Sequence, residues 1–319
     1  MTQFLNLNLA RSHSVNDILH SNYNDIFQYY QKGIYPSVER LIVIGDIHGD
    51  YEAFVNVLKK SRVINDKMEY IGGKTHVVQV GDILDRKARD LDGEDEDSEP
   101  KILSLIMELQ IKSYLDGGGY HTILGNHELM NVLGQFEYAS PMGIKHYGGL
   151  HGRRLYFKPG SAMAKNFACS WNPIVKIGGW LFCHGGISKK ISEKYKIEDV
   201  NLIMRDFLFG NEEHRHRKYF DELFLNSQSI LWNRDFSTDR HQSTSEKLNQ
   251  DLNSVLKNYG AKRICTGHTP QINGIKHRFN GRVFNVDTGM SKAFGKKENP
   301  LDRIHFMEIL HDNQKIRIY

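Results

Sequence analysis

The sequence of 319 residues predicts an α/β fold. Two observations carry that reading. Apolar runs of strand length repeatedly break at a glycine, release a cluster of polar residues and give way to a helical apolar pattern, as a strand, its carboxyl-end loop and the next helix do in an α/β unit. This happens three times in succession, so three polar clusters reach one rim. A second half, rich in strand and hairpin signals, follows.

Residues 1 to about 38 are polar and mixed, with one or two short helical turns in "NDILHSNYNDIFQYYQKG". "RLIVIGDIHGDYEAFVNVLKK" opens with a buried-looking strand, Leu41 to Ile44, breaks at Gly45 and re-enters a helix with Phe54, Val55 and Leu58 on its apolar face. The pattern returns in "THVVQVGDILDRK", whose helix "KILSLIMELQIKSYL" comes after an insertion, and in "YHTILGNHELMNVL". The insertion "KARDLDGEDEDSEP" has seven acidic residues in fourteen and reads as a solvated loop, with partner binding as the alternative. Tyr138 to Trp171, rich in Gly, Lys and Arg, reads as loop and short helix over the rim. The apolar run "IVKIGGWLFCHGG", a charged helical segment through Arg217 and Phe224, and "AKRICTGHTP", a strand into a turn, follow. "HRFNGRVFNVDTGMS" is a predicted hairpin turning at Asn280 and Gly281, both tolerant of positive φ. "RIHFMEIL" and "QKIRIY" read as edge or sandwich strands.

A net charge of +4, from 42 basic against 38 acidic residues, gives no argument for an obligatory nucleic-acid partner. Cys169, Cys183 and Cys265 show no C-x-x-C spacing and form no disulfide framework, which fits a reducing, cytoplasmic setting. Cys183, although next to His184, reads as a buried small hydrophobe. The first residues lack the basic and apolar regions of a secretory signal, and no stretch approaches the roughly 18 apolar residues of a membrane span. No membrane partner is expected.

"HTILGNHELMN" sets an amide, an imidazole and a carboxylate directly after Gly125, and asks whether they bind metal, phosphate or backbone. The other clusters answer. "GDIHGD", "GDILDR", "GNHE", "FCHGG" and "TGHT" supply Asp46 and His48, Asp82, Asn126, His184 and His268. This N and O donor set suits two divalent ions of the first-row or zinc type, especially if one carboxylate bridges them. Gly45, Gly81, Gly125 and Gly267 let the backbone turn tightly beside the donors. Arg86, next to Asp85, offers a fork of donors to phosphoryl oxygens, and His127 can protonate a leaving group; the alternatives are an ion pair with the acidic loop and support of a ligand.

This set of motifs, running from Asp46 to Ser291, resembles the calcineurin-like metallophosphoesterases and, within them, the phosphoprotein phosphatases. "GNHELMN", "GHTPQ" and "DTGMS" resemble the Shewanella-like protein phosphatases. The resemblance implies two mixed β-sheets packed as a sandwich and flanked by helices, in one catalytic domain over 39–319 with an N-terminal extension (1–38) and an acidic insertion (87–100). It implies that Asp46, His48 and Asp82 hold a first metal, and that Asp82 bridges to a second held by Asn126, His184 and His268. His127, hydrogen-bonded to Asp85, would be the general acid, and Arg86 with a second arginine, Arg234 in "SILWNRDFS", would grip the phosphate. Manganese, iron and zinc all fit the donors. The implied reaction is phosphomonoester hydrolysis by direct attack of metal-bound hydroxide, on a phosphorylated protein or peptide, with phosphotyrosine the implied preference and small phosphoesters open. Nucleotide or dinucleoside polyphosphate hydrolysis and a silent scaffold are the rival readings. One departure stands out: the family continues the Asp-Arg pair with glycine, and here Lys87 leads into the insertion.

Overall fold

The continuous apolar runs are strands buried on both faces. The computed structural model describes residues 24–89, 95–211, 214–238, 246–295, 300–312 and 314–319. Among these residues twelve strands form two sheets of six. In one sheet, β2 (Arg40–Ile44), β3 (His76–Gln79), β4 (Gly119–Ile123) and β5 (Trp171–Asn172) run parallel. On its other side β11 (Phe306–Leu310) lies antiparallel to β2, and β12 (Lys315–Ile318) is antiparallel to β11. The second sheet has the order β1 (Ile34–Tyr35), β6 (Ile174–Ile177), β7 (Trp180–Cys183), β8 (Arg263–Thr266), β10 (Val283–Asn285), β9 (Lys276–Arg278).

Alternation along each strand sorts the core into two layers. Leu41, Val43, Val78 and Val80 join Val175, Phe182, Cys265 and Phe284 in the layer between the sheets. Ile42, Ile44 and Val77 face the other way, onto helices. A strand with a packed layer on each side has no polar face to show, which explains why the period of two is silent in "RLIVI" and "HVVQ". The predicted α/β sandwich is the observed architecture.

The side chains of Asp50, Ser140 and Ser161 each cap the start of a helix. Helix α1 (Tyr51–Lys60) starts at Asp50, whose Oδ1 accepts the Ala53 amide at 2.9 Å, and carries Glu52 in its first turn and Lys59 and Lys60 in its last. It buries Ala53, Phe54, Val57 and Leu58, while Val55 is only half-buried. Helix α2 (Glu99–Leu115) begins in the last two residues of the acidic insertion, and α3 (Asn126–Leu133) begins on the "GNHE" cluster itself and ends at Gly134, in the left-handed region at φ 78°. Tyr138 to Trp171 is more helical than its glycines suggest: α4 (Pro141–His146), α5 (Gly149–Phe157) and α6 (Ala162–Ser170) fill it. Ser140 and Ser161 cap α4 and α6, and Phe157, Ala164 and Phe167 pack into the helix-side core. The Asn280–Gly281 turn forms as expected, with both residues at positive φ. Of the insertion, residues 87–89 and 95–100 are described, and residues 90–94 lie outside the described residues.

Candidate metal centre

Every candidate ligand lies just past the carboxyl end of a strand. Asp46 and His48 follow β2, Asp82 and Asp85 follow β3, Asn126 and His127 follow β4, His184 follows β7 and His268 follows β8. The two sheets therefore present their loops along one edge, where ligands gather in open α/β sheets. His48, Asp82 and His268 all take positive φ, at 42°, 53° and 65°, an uncommon conformation for residues with side chains that concentrates here.

Asp82 is the common member of two clusters. Donor atoms of His48, Asp82 and His127 lie within 4.8 Å of one another, and so do those of Asp82, His184 and His268. His184 Nε2 is 3.2 Å from Asp82 Oδ2 and 2.8 Å from Asn126 Oδ1. Its Nδ1 lies 2.8 Å from the Val80 carbonyl, and donating there leaves the Nε2 lone pair for the centre. His48 is fixed the same way, Nδ1 to the Leu84 carbonyl at 3.2 Å, with Nε2 facing Asp82 at 3.7 Å. Asp46 Oδ2 accepts the amide of His268 at 2.9 Å, joining residues 222 positions apart.

The chemistry of this arrangement suits a cation. Asp46 Oδ1 and His268 Nε2 are buried and have no hydrogen-bond partner among the described residues. Asp46, Asp82 and Asp287 are buried together; burial and the charges of Asp287 and Asp82 push the Asp46 carboxyl well above the ordinary carboxylate range, and burial raises Asp287 to about 6. A divalent ion removes both penalties at once. The glycines hold the donors close: a Cβ at Gly267 would stand 2.2 Å from Asp46 Oδ1, and one at Gly125 would stand 2.3 Å from Asp82 Oδ1. The donor set fits two metal ions.

His127 Nδ1 is 2.7 Å from Asp85 Oδ2, and its Nε2 is 3.8 Å from Asp82 Oδ2. Burial alone would lower its pKa, but Asp82 and the bond to Asp85 raise it above the ordinary histidine value. Burial would likewise raise Asp85; the His127 hydrogen bond, Arg153 and Asn131 together hold it below. Asp85 Oδ1 accepts from Asn131 Nδ2 at 2.9 Å and Arg153 Nη2 at 3.1 Å, while the Asp85 amide donates to Glu99 Oε1 at 2.8 Å.

Arg86 is 1% exposed and turned inward, with Nη1 2.7 Å from Asp50 Oδ2 and 2.8 Å from Ser291 Oγ. Glu96 of the insertion stands 3.6 Å from its Nη2. Arg234 is exposed and hydrogen-bonds the His268 carbonyl and Thr269 Oγ1, each at 2.9 Å, within electrostatic reach of Asp287, Asp46 and Asp82. It borders a surface cavity of about 460 Å³ lined by Leu225, Trp232 and Asp235, and Trp232 meets His268 edge to face at 5.7 Å.

Some residues of the site have no role in the sequence reading. Glu128 accepts the amides of Asp82, Ile83, Leu84 and Gly125 and so shapes the bridging loop. Its place in "GNHE" was the available signal. Asp287, in "DTGMS" after β10, had the same kind of signal, a carboxylate following a strand. Arg153 had none.

The family model for calcineurin-like phosphoesterases matches residues 39–271. The chain belongs to the calcineurin-like phosphoesterases. Among curated relatives, Shewanella-like protein phosphatase 1 of Plasmodium berghei is 30% identical over 82% of this chain and 70% of its own. Shewanella-like protein phosphatase 2 of Arabidopsis thaliana is 28% identical over 86% and 76%. Among solved structures, the cold-active protein-tyrosine phosphatase of a psychrophilic Shewanella superimposes with a TM-score of 0.65 at 22% identity, covering 90% of this chain and 82% of that one; this likeness speaks to the fold. With both ligand clusters built, this calcineurin-like phosphoesterase is a metal-dependent phosphomonoester hydrolase. No helix among the described residues is long and apolar enough to cross a membrane.

Proposed function

We propose that the enzyme dephosphorylates a phosphorylated protein or peptide and prefers phosphotyrosine. The observation that carries the preference is aromatic: the Tyr138 ring stands 5.0 Å from His127 and the Phe294 ring 5.3 Å from His48, so the first cluster opens between two rings that suit an aryl phosphate. The curated relatives named protein phosphatases support the protein or peptide substrate.

Asp46, His48 and Asp82 would hold one ion, and Asp82, Asn126, His184 and His268 the other. Manganese, iron or zinc satisfies these donors. The bound ions supply an activated water and neutralise phosphoryl charge. The chain does the rest. His127 carries the proton to the departing oxygen, and Asp85 holds its ring by Nδ1 so that Nε2 points to the centre. Arg234, fixed at the His268 carbonyl, meets the phosphoryl oxygens from the second-ion side. The three cysteines are buried and unpaired, and Cys183 and Cys265 are pushed up by burial, so none is placed as a nucleophile.

Elemental analysis paired with phosphate release from phosphotyrosyl and phosphothreonyl peptides tests the reading. Two metals per chain with faster release from phosphotyrosine is expected. Two metals with equal release from both peptides would remove the preference, and two metals with release from neither would move the substrate to a nucleotide.

A further inference from the structure

The chain segment after Asp85 carries two arginines, Arg86 and Arg89, three residues apart and outside any helix or strand. Sequence favours the first. The structure separates them by their partners.

We infer that Arg89, from the insertion, is the guanidinium that receives the phosphoryl group on the His48–His127 side of the site, and that Arg86 is a structural cation. The inference rests on the phosphatase reading and adds a residue to it. Arg86 is bound to Asp50, itself fully buried and capping α1, and to Ser291. Turning Arg86 toward a substrate would take the ion-pair partner from a buried carboxylate, leaving Asp50 held only by the Ala53 and Lys292 amides. Arg89 has no such debt. Its hydrogen bonds go to neutral main-chain carbonyls, those of Lys87 and Asp85, and among the described residues it takes part in no ion pair.

Its position is fixed from several sides. The guanidinium carbon lies 4.7 Å from the centre of the Tyr138 ring and 5.8 Å from that of Phe294, the two rings that flank His127 and His48. Aromatic faces hold a guanidinium in place while leaving its edge donors free for an anion. The Arg89 amide donates to the Ala293 carbonyl, and the Lys87 amide donates to the Tyr138 carbonyl at 3.0 Å, so the backbone on both sides of the guanidinium is tied to the elements that carry the rings. Its charge is felt by His48 and His127. Lys87, the other new cation, is exposed and spends its Nζ on the Glu137 carbonyl at 2.9 Å. The described acidic residues of the insertion are engaged elsewhere: Asp95 accepts the Met142 amide at 2.9 Å, Asp97 pairs with His146 at 2.9 Å, Glu96 faces Arg86 and Glu99 pairs with Arg153. Arg89 and Arg234 then stand on the two sides of the centre.

The test is calorimetric titration of inorganic phosphate into the metal-loaded protein and its Arg89→Gln, Arg89→Lys and Arg86→Gln variants, with kcat/KM on a phosphotyrosyl peptide alongside. Arg89→Gln should weaken phosphate binding and kcat/KM by ~10- to 100-fold, the range for losing hydrogen bonds to a charged group, with metal content and Tm unchanged. Arg89→Lys should fall between. Arg86→Gln should chiefly lower Tm. Unchanged phosphate affinity in Arg89→Gln overturns the inference, as does an Arg86→Gln protein that keeps its Tm and loses phosphate. A wild-type protein that binds phosphate but hydrolyses no phosphoester defeats the phosphatase reading alone and leaves Arg89 judged by binding; one that binds no phosphate defeats the inference.

Discussion

Asp85 Oδ2 and His127 Nδ1 stand 2.7 Å apart in the interior, and the other Asp85 oxygen is bound by Asn131 and Arg153. The carboxylate therefore cannot rotate without breaking three bonds, and the imidazole is fixed with it. His127→Asn should keep two metals per chain and lose turnover by ~10²- to 10⁴-fold, the usual worth of a positioned acid. Kinetics on an alkyl phosphate with parallel metal analysis decides it. Loss of a metal would instead make His127 a ligand.

Asp82 serves both clusters, so Asp82→Asn should strip both ions and abolish activity. Chelating the wild-type protein should lower Tm as well, because Asp46, Asp82 and Asp287 are then buried with no cation. Thermal melts with and without chelator measure this; identical curves would mean the carboxylates are neutralised by other means.

Arg153 is fully buried, with Nη1 2.7 Å from Glu99 Oε2, Nη2 3.1 Å from Asp85 Oδ1 and Nε 2.7 Å from Asn131 Oδ1. Arg153→Met should cost about 3–5 kcal/mol, because two carboxylates lose their buried partner. Urea denaturation gives the number. A cost under about 1 kcal/mol would show that Asp85 and Glu99 are satisfied without it.

A pH effect is expected away from the metals. His76 Nδ1 and His121 Nε2 are 3.0 Å apart, a bond that two neutral rings can make. Burial lowers His76 to about 4, and burial with the neighbouring His76 takes His121 well below the ordinary value. Between about 6.5 and about 4 the unfolded chain thus binds protons that the folded one refuses, so stability is complete above that window and falls as pH drops through it, by up to about 1.4 kcal/mol per pH unit for each ring. His76→Gln should be less acid-sensitive. Melting both proteins from pH 7 to pH 4.5 checks it, and parallel Tm curves would refute the assignment.

The metal ligands are legible in the sequence because each is announced by its surroundings: an apolar strand ending, a glycine, then a donor. Asp46 and Asp82 are read that way, and the two-sheet architecture places them together. Arg153 is not legible, since it meets Asp85 from 68 residues away and nothing in "HGRRLYF" distinguishes it from the exposed Arg154 beside it. The choice between Arg86 and Arg89 is hidden for a related reason: in an irregular segment, spacing does not say which way a side chain turns, and only the position of Asp50 decides. The helices α4 to α6 are obscured by their glycines, because burial of Phe157 and Phe167 outweighs weak local propensity.

The bond from the His268 amide to Asp46, across 222 residues, also sets an order of events. During synthesis β2 emerges early, yet its neighbour β11 and the histidine that completes the second ligand cluster come only near the end of this sequence. At roughly 5–20 residues per second, translation leaves the early strands and their carboxylates waiting ten seconds or more for those partners. The full pair of ions can be captured only after that wait, so metal supply meets a chain in which strands of both sheets have already been made, and early sheet edges are exposed to aggregation in the meantime.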